Sequence, residues 1–170
     1  MTTVLVTGPE SSGNRMLCRM LTEAGAAVLH KPMPMSTHWR PGTPGDPDNW
    51  DGMWTDFSTI EWDAAVVIIR DPVCAVASQV KQGHARDADH AATRTRQALV
   101  NIYGQLAQTT KPWWTVTYEG LARPEAAEAL CRLLRLPGRP VTRWQDANAK
   151  HYGGRSWADH SRLHERPRAG

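Results

Sequence analysis

The run Ala64–Arg70, Ala-Ala-Val-Val-Ile-Ile-Arg, constrains the fold more than any other stretch of the chain. It is apolar without alternation, as a strand covered on both faces must be, and such strands belong to parallel sheets under helices. Asp71-Pro72 follows at once. An Asp that caps a helix and a Pro at its first position start a helix without strain. The spacing predicts this helix from Pro72 to about Gln82, with Gly83 as its stop. Similar units stand on either side. Thr3–Thr7 reads as a short buried strand and Asn14–Ala24 as a helix, with Met16, Leu17, Met20 and Leu21 on one face and Gly25 at its end. Ala26–Leu29 and Trp114–Tyr118 read as strands. Residues 87–108 read as a long helix, and Pro124–Leu136 as a helix stopped by Pro137-Gly138. Strand alternating with helix predicts an α/β fold of three layers, a central parallel sheet flanked by helices.

A chain of 170 residues suits a single domain. Residues 1–158 are expected to form it, with 159–170 as a solvated, flexible tail. Hydrophobic residues make up 41% and charged residues 22%, enough apolar material to build a core. No stretch of about 18 apolar residues is present, so no transmembrane helix and no membrane partner are expected. The N-terminus enters a strand directly, without the basic start and apolar run of a signal peptide. Cys18, Cys74 and Cys131 fall in helical apolar patterns and read as reduced core thiols. These features together place the chain in the cytoplasm. A net charge of +3 is mild, and suits a small anionic ligand without requiring nucleic acid, which is not expected as a partner. Oligomeric state has no signature here.

The stretch between the first strand and helix is Gly8-Pro-Glu-Ser-Ser-Gly13-Asn-Arg15. A Gly-bounded turn from strand to helix turns backbone N–H groups and the positive end of the helix dipole toward one point, where an oxyanion binds. The two Gly stand at the spacing of a nucleotide-triphosphate loop, but Asn14 and Arg15 occupy the places of its Lys and Ser/Thr. The residues that would grip outer phosphates and magnesium are therefore missing. Arg15 supplies planar positive charge without a metal. Glu10 repels a polyanion unless it points away or acts as a base. A second anchor is Arg70 at the end of the central strand, with Ser78 two helical turns beyond it. Asp71 is read as a helix cap rather than a magnesium ligand. Histidines 84, 90, 160 and 164 show no metal-ligand spacing, and no metal is expected.

These motifs resemble the sulfotransferases that use 3'-phosphoadenosine 5'-phosphosulfate (PAPS), whose fold is similar to that of P-loop NTPases. Ser12-Gly13-Asn14-Arg15 resembles their 5'-phosphosulfate loop, VVIIRDPVCAVAS their 3'-phosphate motif, and VTYEGL their Tyr-Glu strand end. HYGGRSW is a looser match to their C-terminal basic segment. The resemblance covers most of residues 3–157. It implies that Ser11, Ser12, Gly13, Asn14, Arg15 and Met16 hold the 5' end of PAPS. It implies that Arg70 and Ser78, with Gly154 and Arg155, hold the 3'-phosphate, and that Tyr118 lies near the adenine. Where many members carry a loop Lys, this chain has Glu10 nearby and Arg15 as the substitute.

The implied reaction moves a sulfuryl group to a hydroxyl or amine of a small-molecule or saccharide acceptor. Arg15 is expected to stabilise the leaving phosphate. A general base is required for a hydroxyl acceptor. His38, in the long loop after the second strand, is the first candidate, followed by His30 and Glu10, with His84 also open. Trp39, Trp50, Trp54 and Trp62 crowd into one region, and serve either as an acceptor wall or as a satellite core. Two alternatives stand beside this reading. One is a P-loop kinase or NTPase with atypical loop chemistry. The other is a nucleotide-binding protein without catalysis.

Overall fold

A computed structural model describes residues 1–30, 56–140 and 145–151. The strands are β1 (Thr3–Thr7), β2 (Ala27–His30), β3 (Ala64–Ile69) and β4 (Trp113–Thr117). The helices are α1 (Asn14–Glu23), α2 (Pro72–Lys81), α3 (Ala88–Leu106) and α4 (Pro124–Leu133). Short 3-10 turns lie at Phe57–Thr59, Gly120–Ala122 and Ala149–His151. The expected elements form, with ends moved by up to three residues. The expected tail, His38, Gly154, Arg155 and three of the four clustered Trp lie outside the described residues.

All four strands are parallel, in the order β2-β1-β3-β4. From β1 the chain steps outward to β2, crosses back over β1 to β3, and continues to β4. The direction of winding therefore reverses between β1 and β3. In an open α/β sheet that reversal leaves a crevice at the carboxyl ends of the two strands, which is where ligands bind.

The alternation of side chains along each strand divides the core in two. On one face Val4, Val6, Val66 and Ile68 meet Leu17 and Leu21 of α1 and Leu130 of α4. On the other, Leu5, Ala65 and Val67 meet Ala98, Ile102 and Leu106 of α3. Helix α2 packs beside α3. The result is helices over both faces of a parallel sheet, which is why β3 carries no polar residue along its length. Trp62 belongs to the α3 side of this core: it is buried, its indole N–H donates to the Phe57 carbonyl, and Lys111 lies over its ring at 4.7 Å.

Helix ends follow local chemistry. Asp71 caps α2 by accepting from the Cys74 N–H, and Asp87 caps α3 by accepting from the His90 N–H. At Gly25 (φ 97°) and Gly83 (φ 71°) the chain turns left-handed. Ala26 N–H then closes onto the Leu21 carbonyl, and His84 N–H onto the Gln79 carbonyl. Both are Schellman closures. Helix α4 was expected to reach Leu136 but ends at Leu133. Arg135 takes the left-handed turn (φ 54°) without a glycine, and Leu136 N–H closes onto the Cys131 carbonyl. The three cysteines are free thiols, and burial pushes that of Cys18 up to about 11.

Ile102, with no exposed surface, joins α3 to the sheet. Ile102→Ala is expected to destabilise the fold by about 2–5 kcal/mol. Urea unfolding should show a lower midpoint at an unchanged m-value.

Candidate functional site

A cavity of about 310 Å³ opens at the carboxyl ends of β1 and β3. Its lining takes in Ser11, Gly13, Asn14, Arg15 and Met16 of the loop and α1, Arg70 and Ser78 of the second motif, and Glu10, His30, His84 and Tyr118. Gln82, Ala147 and Lys150 complete the lining. Of the sequence-predicted residues, Ser12 is buried behind the loop and does not line it.

The loop from Gly8 to Gly13 is set by tight contacts. Ser11 and Gly13 both have positive φ, 63° and 95°. A non-glycine residue at positive φ is strained and persists only where its surroundings hold it. Gly13 could carry no side chain in any case, because a Cβ there would lie 2.4 Å from Tyr118 Cδ2. Asn14 Nδ2 donates to the Pro9 carbonyl, tying the first residue of α1 back across the loop. Helix geometry leaves the N–H groups of the first turn of α1 without intrahelical acceptors, so they are available to an anion. The Ser11 hydroxyl is buried and has no hydrogen-bond partner among the described residues.

Arg70 joins this loop to the far end of the chain. Its Nη1 donates to the Ser11 carbonyl (2.9 Å), Nη2 to the Ala147 carbonyl (3.0 Å) and Nε to Asn148 Oδ1 (2.6 Å). The guanidinium lies 5.0 Å from the centre of the Tyr118 ring. Three of its five N–H groups are used, and two remain for a ligand. Asn148 is fully buried, and its Nδ2 donates to Glu119 Oε1 at 2.6 Å. The same carboxylate oxygen accepts from the Asp71 N–H. Tyr118 donates its hydroxyl to the Gln145 carbonyl. Tyr118 is 4% exposed and lines the cavity, with its ring against Gly13 and Arg70. Tyr118 and Glu119 thus brace the segment 145–151, which brings Lys150 to the cavity.

Glu10 does not face the cavity as a lone acid. It is 3% exposed, and its Oε2 accepts from Arg94 Nη2 at 3.2 Å. Arg94 is 1% exposed, and its Nη1 donates to the His84 carbonyl. Burial pulls the Arg94 guanidinium below its usual value, and Glu10 pushes it back up. Gln79 of α2 donates to the Glu10 carbonyl, holding the loop from a second helix. His84 Nδ1 lies 3.7 Å from Glu10 Oε2. Ser78 is buried, and its hydroxyl accepts from Gln82 Nε2.

Among the described residues Glu10 is the one carboxylate on the cavity wall, and Arg94 offsets its charge, so the described lining, with Arg15, Arg70 and Lys150, is positive. Two imidazoles register this field. Burial and then the charge of Arg15 lower the His30 pKa. Burial, then Lys150, Arg70 and Lys81, lower that of His151. The arrangement can hold an anion, with the N-terminus of α1, Arg70, Ser78 and Lys150 all on the cavity lining.

Comparison with protein-family models, with curated proteins and with solved structures gives no significant match to this chain.

Removing one member of the buried ion pair is expected to be severe. Arg94→Met should destabilise the protein by about 3–5 kcal/mol, because Glu10 is then buried without its cation. The double variant Arg94→Met/Glu10→Gln should recover much of that loss, as denaturant midpoints of the three proteins would show. Asn148→Ala should cost about 1–3 kcal/mol by leaving Arg70 Nε and Glu119 without their shared partner.

Proposed function

We propose that this chain is a PAPS-dependent sulfotransferase built on a P-loop NTPase-like architecture. It would move a sulfuryl group from PAPS to a hydroxyl or amine of a small-molecule or saccharide acceptor. The observation that carries the reading is the hydrogen bond from Arg70 Nη1 to the Ser11 carbonyl. It joins the two motifs, which stand apart in the sequence, side by side in the lining of one cavity. An anion clasped at both ends is what a doubly phosphorylated adenosine requires.

In this reading the first turn of α1, the Ser11 hydroxyl and Arg15 receive the 5'-phosphosulfate. Arg70, Ser78 and Lys150 receive the 3'-phosphate. Sulfuryl transfer needs little covalent work from the protein, so catalysis rests on positioning and on stabilising charge at the leaving phosphate. Arg15, at the start of α1, supplies that charge together with the helix N-terminus. Asn14, at the place of the triphosphate loop's Lys, is turned back to Pro9, and Arg15, at the place of the hydroxyl, offers magnesium no oxygen. The atypical loop therefore favours a nucleotide bound without a divalent metal over a triphosphate bound with one.

Calorimetry tests this directly. 3'-Phosphoadenosine 5'-phosphate (PAP) should bind more tightly than ATP with magnesium, and EDTA should leave the PAP affinity unchanged. Tighter binding of ATP with magnesium would sink the proposal in favour of a kinase or NTPase. Arg70→Gln should weaken PAP by about 2–5 kcal/mol if its phosphate partner is desolvated.

A further inference from the structure

An acid stands one side chain away from Arg70. Glu119 lies just after β4 and is 6% exposed. A buried carboxylate and an arginine ordinarily close on each other as a bidentate ion pair. Here the guanidinium closes on uncharged acceptors instead: the carbonyls of Ser11 and Ala147 and the amide oxygen of Asn148. Glu119 Oε1 accepts from Asn148 Nδ2 and from the Asp71 N–H. Asn148 thus stands between the cation and the acid, and it has no exposed surface.

Only one orientation of its amide satisfies both neighbours. Arg70 offers donors alone, so it takes the oxygen. An ionised carboxylate only accepts, so it takes the NH2 group. An aspartate at this position would turn a second acceptor toward Glu119. An apolar residue would leave Arg70 Nε and Glu119 without their shared partner. A neutral amide meets both demands, and it separates two opposite charges that would otherwise pair.

We infer that Asn148 is a positioning residue for anion binding: it passes the hold of Glu119 on to the Arg70 fork and keeps the negative charge of Glu119 off it. The inference rests on the nucleotide reading of this cavity, and adds to it the residue that keeps the Arg70 charge available. Two N–H groups of the guanidinium remain for a ligand. Their attraction for an anion is greatest when no carboxylate lies on the same fork. The backbone of Asn148 is held independently of its side chain. Its N–H donates to Asp146 Oδ1, and its carbonyl accepts from the His151 N–H. Substitution of the side chain leaves both bonds in place.

The test exchanges amide and acid. Asn148→Asp/Glu119→Gln keeps the net charge and allows every hydrogen bond of the network. The amide at position 119 then donates to the carboxylate at position 148, which accepts from Arg70 Nε. The oxygen at position 119 still accepts from the Asp71 N–H. Only the place of the negative charge changes. Asn148→Asp alone should lower the urea midpoint, because two acids then face each other in a buried place. The double variant should recover most of that loss, yet bind PAP about 10-fold or more weakly than wild type in calorimetry. Glu119→Gln alone keeps both bonds through Oε1 and removes a charge, so it should bind PAP no more weakly than wild type. A residue that only held the fold would recover affinity together with stability.

Wild-type affinity for PAP in the double variant would overturn the inference. So would a weakening by Glu119→Gln as large as that of the double variant. If the double variant does not recover its fold, NMR of the wild-type chain decides. The Arg70 Nε–H signal, assigned by its loss in Arg70→Lys, should keep its shift when PAP binds while the Nη signals move. An Nε–H signal that moves with them would show that Asn148 lets go of the fork, and would overturn the inference. Failure of the wild-type chain to bind PAP would instead overturn the nucleotide reading. The same variants titrated with inorganic phosphate should then show the same order of affinity, and a wild-type chain that binds no phosphate would overturn the role of Asn148 as well.

Discussion

The Arg70 guanidinium holds the cavity together. It sits over the Tyr118 ring and donates to acceptors 59, 77 and 78 residues away in sequence. A planar cation with donors on three sides is the side chain that can do this. A lysine would offer one point charge and lose the stack. Each other feature of the site follows from that placement. Tyr118 must lie flat beneath the guanidinium, so its ring fills the space beside Gly13, and residue 13 can have no Cβ. Asn148 must face Nε, so it is buried, and its amide needs a second partner, which Glu119 supplies. The loop cannot shift on its own, because its Ser11 carbonyl is one of the three acceptors.

Helices α2 and α3 hold the loop from the other side. Gln79 and Arg94 reach the carbonyl and the carboxylate of the same residue, Glu10. The loop is thus fixed at Glu10 by helices and at Ser11 by a strand end, and the strained φ of Ser11 lies between two points that do not move independently. Backbone strain of this kind persists only where neighbouring structure over-determines it. The anion site is therefore largely preformed, which lowers the ordering cost of binding.

Much of this architecture could be read from the chain. The unbroken apolar run of β3, the Asp71-Pro72 start of α2 and the glycines after α1 and α2 are local signals, and each acts where it stands. The end of α4 was misjudged because Arg135 adopts the turn that glycine usually takes, and no residue type announces that. The Tyr118-Glu119 strand end carries a second role that its sequence does not announce. Its observed partners, Gln145 and Asn148, come from a segment with no period to read. One signal was present and passed over. Ala91, Arg94, Ala98 and Ile102 recur at helical spacing, and all four are buried. A charged residue on the apolar stripe of a helix needs a buried counter-charge. Glu10, the acid that seemed misplaced in an anion-binding loop, was the candidate.

Those two anomalies explain each other, and this bears on the missing loop Lys. A loop with a lysine pointing into its anion needs no acid beneath it. Here one cation at the loop, Arg94, is buried against Glu10, and the two offset each other before any ligand arrives. The positive charge left in the cavity comes from Arg15, Arg70 and Lys150, on three different elements. The departure from the triphosphate-loop pattern is then one coherent change, in which Glu10 and Arg94 neutralise each other and Arg15, Arg70 and Lys150 carry the charge of the described lining.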